Sequence, residues 1–131
     1  MIEVILLVEA DPGVAGQLSQ ALQPEVVLAM KDAESALNYL LGNPPAQDRQ
    51  LPKVILLSLS LPGMGGLELL QRIRSQEDLL GLPVVVRESN PELTATAYES
   101  GASSVLARLD GEDLKAQMDS LSAFWGMCER A

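Results

Sequence analysis

The chain has 131 residues, 47% of them apolar, enough for one domain with a single substantial core and too few for a second. Nine Lys and Arg against eighteen Asp and Glu leave a net charge of -9, a field that repels phosphate backbones and anionic lipid surfaces, so neither nucleic acid nor a membrane is an expected partner. With no histidine and one cysteine, Cys128, imidazole acid–base chemistry, an internal disulfide and an ordinary zinc site are all excluded.

The first element is the continuous apolar run Val4-Ile5-Leu6-Leu7-Val8, which the acidic, turn-forming segment Glu9-Ala10-Asp11-Pro12-Gly13 ends. A run of this kind predicts a central parallel strand buried on both faces. Asp11 is placed to cap a helix over residues 12–23, with Pro12 at its first position and Val14, Leu18, Ala21 and Leu22 at helical spacing before Pro24. A second strand over residues 26–30 leads to a helix capped by Asp32, striped by Ala36, Leu37, Leu40 and Leu41, and ended by Gly42. Residues 43–52, rich in Pro and Gln, read as a surface loop.

The third strand spans residues 53–58 and is followed by a turn to Gly66 and a helix with Leu67, Leu70 and Ile73 inward and Arg72 and Arg74 outward. A β-branched fourth strand begins at Pro83. Pro91 falls in the first turn of a fourth helix, ended by Gly101, whose Thr94-Ala95-Thr96-Ala97 make it weakly hydrophobic, so that it is expected to pack loosely or to present a surface to a partner. Residues 104–107 form the fifth strand, and Leu114, Met118, Leu121, Trp125 and Cys128 stripe the last helix. Five strands alternating with five helices predict a flavodoxin-like, doubly wound parallel sheet of order 2-1-3-4-5, one domain over residues 1–131 with no output domain. No apolar run approaches the roughly 20 residues that span a bilayer, and no secretory signal pattern is present, so a soluble, cytoplasmic protein is expected.

Over nearly the whole chain these residues resemble the receiver domains of two-component response regulators. Ile5-Leu6-Leu7-Val8-Glu9-Ala10-Asp11-Pro12 is similar to a receiver's first strand and acidic turn, and the stretch from Val54 through Ser58-Leu59-Ser60-Leu61-Pro62-Gly63-Met64-Gly65-Gly66 to its third strand and loop. Pro83-Val84-Val85-Val86 and Ala97-Tyr98-Glu99-Ser100-Gly101-Ala102 resemble the fourth strand and the fourth-helix exit. The long loop before Pro52 and the late Phe124-Trp125 further resemble the small single-domain regulators associated with bacterial phytochromes.

The resemblance implies that a phosphoryl group is taken from a phosphohistidine onto an aspartate at the end of the third strand. Mg²⁺ and a lysine neutralise charge on the transferring oxygens. Ser58 stands at the acceptor position, and a serine hydroxyl is neither an ionised nucleophile nor a charged Mg²⁺ ligand. Ala10 stands where the direct metal-binding carboxylate belongs, leaving Glu9 as the acidic neighbour, so Mg²⁺ binding is expected to be weak or absent and no other cofactor is implied. Glu88 replaces the switch hydroxyl, Arg108 the lysine and Leu109 the proline beside it.

These departures predict a degenerate receiver, not an enzyme, that works as a phosphorylation-independent interaction module. Glu9, Glu88 and Arg108 are expected to converge at the strand ends, with Arg108 bridging Glu88 and Glu9. The alternative, Glu88 turned to solvent, stays open. Arg87 falls where receivers carry an apolar residue, and the reading gives it only a stem long enough to reach the sheet's edge.

Expected partners are other signalling proteins, such as a sensor kinase or another regulator, and a second copy across the face made by helix four, strand five and helix five. Phe124 and Tyr98 are the candidate interface residues. The competing readings are a conventional phosphorelay regulator modified at another residue and, separately, a serine phosphosite at Ser58 served by a separate kinase. A flavin-type site would need a backbone phosphate cradle, which the acidic turn after the first strand does not offer.

Overall fold

The structure, a computed structural model, describes residues 3–42 and 51–127, with the side chains of 124–127 left aside. Strands β1 (Val4–Val8), β2 (Val26–Met30), β3 (Val54–Ser58), β4 (Val84–Arg87) and β5 (Ser104–Leu106) form one parallel sheet of order β2-β1-β3-β4-β5. Between and after them run α1 (Pro12–Ala21), α2 (Ala33–Leu41), α3 (Gly66–Arg74), α4 (Pro91–Glu99) and α5 (Gly111–Met127). The topology is the expected one, and a short 3-10 turn at Glu77–Leu79, unforeseen in the sequence, joins α3 to β4.

Strand alternation divides the core between the two faces of the sheet. Leu6, Val8, Ile55, Leu57, Val84 and Val86 point to the α2, α3 and α4 side, against Ala36, Leu40, Leu69, Leu70, Ile73 and Ala97. Ile5, Leu7, Val54, Leu56 and Val85 point to the α1 and α5 side, against Leu18, Leu22, Leu114 and Met118. Both faces of β1, β3 and β4 are therefore dry, which is why these strands carry unbroken apolar runs. Truncating a residue such as Leu57, fully buried, would cost about 2–5 kcal/mol.

Local signals hold where they are local. The Asp11 carboxylate accepts from the Gly13 and Val14 amides, Asp32 accepts from Ser35, and Gly42 takes the left-handed conformation at the end of α2. As expected for a weak helix, α4 buries only Ala97.

On α3, Leu70 and Ile73 are buried as expected and Leu67, partly covered, packs against the same core, but the inward face also takes Leu69, which the sequence reading missed. Arg74 does not face out: its guanidinium donates to the carbonyls of Gly101, Leu79, Leu80 and Leu82 and to Ser103 Oγ. Gly101 at φ +108 lets the chain pass under it, where a Cβ would lie 2.6 Å from Arg74 Cγ. Residues 43–50 and Cys128, and the side chain of Trp125, lie outside the described residues.

Candidate functional site

Parallel pairing and the two-residue period of a strand place one polar row across the carboxyl end of the sheet. Val8 pairs with Leu57 and Leu57 with Val86, all three pointing to the α2–α4 side. One residue further on, Ser58 pairs with Arg87, and the same register sets Glu9 beside Ser58. Each of these side chains therefore turns to the α1 and α5 side, on three neighbouring strands.

The row is buried: Glu9 is 5% exposed, Ser58 2% and Arg87 3%. Arg87 reaches along it, with Nη1 3.8 Å from Glu9 Oε1 and Nη2 donating to the Leu109 carbonyl at 3.3 Å. The other Glu9 oxygen accepts from the Asp11 amide at 3.1 Å, so the turn after β1 fixes the carboxylate. Four buried atoms of this row make no hydrogen bond among the described residues: Glu9 Oε1, Ser58 Oγ, and Nε and Nη1 of Arg87.

The Arg87 pKa is lowered from the usual guanidinium range, first by burial and then by the charge of Arg108, with Glu9 opposing both. Its guanidinium is buried with one carbonyl acceptor and a carboxylate at 3.8 Å, few partners for a cation out of water.

The expected bridge from Arg108 to Glu88 does not form. Glu88 stands one residue past Arg87, so its side chain has the opposite facing, and Oε2 accepts from the Ser89 and Asn90 amides at 3.0 Å each, tying down the turn into α4. Nor is it free in solvent. Arg108 is exposed and makes no ion pair among the described residues, while its backbone amide donates to Ser89 Oγ at 2.9 Å.

Glu9 is in the crevice as expected, but its partner is Arg87, which sequence reasoning sent to the edge of the sheet. The signal that would have found it was available: Glu9, Ser58 and Arg87 each directly follow an apolar strand run, at matching register.

Other predicted positions resolve differently. Ala10 lines an open cleft with Glu9, Pro12, Met30, Lys31 and Asp32. Tyr98, half exposed, accepts the Val105 amide on its hydroxyl at 3.1 Å, so its ring lies across α4 and β5. Phe124 lies in α5, its side chain outside those described. The loop after β3 is held from α2, where Glu34 accepts from the Met64 amide at 3.1 Å.

The residues present do not fit a divalent cation. Glu9 is the one carboxylate in the row, and no group of three or more Asp, Glu, Cys or His side chains among the described residues is placed to hold a metal.

Residues 5–119 match the response regulator receiver domain family, and the chain belongs to that family. It is similar to the response regulator Rcp1 of Synechocystis, 27% identical over 94% of this chain and 88% of that protein. The probable methanogenesis regulatory protein FilR2 of Methanothrix harundinacea is 33% identical over 73% of this chain and 63% of its own length. Among solved structures, the Mn²⁺-bound form of Rcp1 superposes with a TM-score of 0.88 at 26% identity, covering 98% of this chain and 99% of that one. The bacteriophytochrome response regulator RtBRR does so at 0.79 and 30%, covering 100% and 82%. No helix among the described residues is long and apolar enough to cross a membrane.

Proposed function

We propose that this chain is a degenerate receiver that signals by binding other proteins without accepting a phosphoryl group. The observation that carries the reading is Ser58, whose hydroxyl lies buried at the carboxyl end of β3, where the family resemblance calls for an acceptor carboxylate. A neutral, buried hydroxyl has neither the charge nor the access for attack on a phosphohistidine. The same burial disfavours the alternative in which a separate kinase modifies Ser58.

Rcp1 and RtBRR are regulators by name, so a sensor kinase or another regulator is the class of partner proposed, in the cytoplasm. The contact face proposed is α4, β5 and α5, where Leu93, Tyr98 and Leu109 are exposed and a second copy is one candidate occupant. Its shape is set by fixed contacts: Glu88 on the turn before α4, Arg87 on the Leu109 carbonyl and Tyr98 on β5. The test is incubation with acetyl phosphate and Mg²⁺ followed by intact-mass measurement. The unchanged mass is expected, and the added mass of one phosphoryl group would refute the proposal.

A further inference from the structure

We infer that Arg87 is a built-in cation, and that its guanidinium, beyond the two missing carboxylates, bars divalent metal from the crevice. This rests on the receiver reading above and deepens it, by giving a role to a residue that the loss of phosphotransfer does not by itself require.

The geometry is specific. One Glu9 oxygen is committed to the Asp11 amide, and the remaining one, Oε1, already faces Arg87 Nη1 at 3.8 Å. A cation seeking that oxygen meets one in place. Arg87 cannot easily swing away, because its stem is buried in β4 and Nη2 is held by the Leu109 carbonyl. Ser58 lies between the two charges on β3, as the register partner of Arg87.

A distinctive consequence follows for any attempt to rebuild the site. A carboxylate introduced at position 58 would stand on the neighbouring strand, in register with Arg87, whose Nε and Nη1 make no hydrogen bond. It would pair with the guanidinium, which offers a planar fork suited to two carboxylate oxygens, and would not be available to an ion. Restoring the carboxylates at positions 10 and 58 is therefore not enough. Arg87 must go as well.

Isothermal titration with MgCl₂ on the full chain compares A10D/S58D with A10D/S58D/R87M. The triple variant is expected to bind at least about tenfold more tightly, because it keeps the same carboxylates and loses one fixed positive charge. Any smaller ratio, including no binding by either, would overturn the inference. Circular dichroism checks that both are folded. If a carboxylate at position 58 prevents folding, A10D against A10D/R87M makes the same comparison with Ser58 intact. Failure of the phosphorylation-free reading shows elsewhere, as phosphoryl transfer to the unaltered chain.

Discussion

Arg74 and Arg87 are both arginines drawn out of water at opposite ends of the sheet, and their surroundings treat them in opposite ways. Arg74, at the end of α3, meets four carbonyls and a serine hydroxyl, pinning the 3-10 turn, the entry to β4 and the turn before β5. Arg87, at the end of β4, has one carbonyl and a carboxylate beyond hydrogen-bond distance. Burial lowers the pKa of both, but for Arg87 the charge of Arg108 adds to it. A saturated guanidinium holds a fold together. An unsaturated one stores a cost, which folded proteins carry mainly where the group does something besides hold structure.

The largest effect expected from breaking this contrast is at the saturated end. Arg74→Met leaves several carbonyls without their donor and should destabilise the chain by about 3 kcal/mol in urea unfolding. Glu9→Ala, at the other end, removes the one opposing charge from Arg87 and the acceptor of the Asp11 amide, and should cost about 2–3 kcal/mol. Replacing both charges, as in Glu9→Gln with Arg87→Met, should fall within about 1 kcal/mol of the original or above it, since the desolvation of the pair disappears with its attraction. A double-mutant cycle on Glu9 and Arg87 that shows no coupling would mean that the 3.8 Å approach carries no energy.

The smallest effect concerns Asp32, a partly exposed helix cap whose pKa is lowered chiefly by the hydrogen bond from the Ser35 amide. A carboxylate with a depressed folded pKa contributes stability above its unfolded value, 3.8, and loses it as pH falls through the folded one. Asp32→Asn should therefore flatten the acid limb of the stability profile slightly and leave the neutral region nearly unchanged.

What the sequence disclosed depended on how far apart the interacting groups lie along it. The caps at Asp11 and Asp32 bond residues two or three positions away, and the buried strands announce themselves as apolar runs, so both were legible. Arg74 was misread because its acceptors include Gly101 and Ser103, 27 and 29 residues on, which no helical pattern reveals. The bridge expected between Glu88 and Arg108 failed for a different reason. Glu88 was grouped with Glu9 by its place at a strand end, whereas facing alternates with every residue, and of the two neighbours Arg87 is the one on the side of Glu9 and Ser58. The register that sets this row could have been proposed from the three apolar runs alone.

The claim that the crevice is closed to phosphoryl chemistry meets its most direct test in a ¹H–¹⁵N spectrum of the unaltered chain titrated with Mg²⁺ and beryllofluoride, a phosphoryl mimic. The account predicts no saturable shifts at the amides of Ser58, Glu88, Val105 or Arg108. Saturable shifts that begin at Ser58 and spread into α4 and β5 would contradict it.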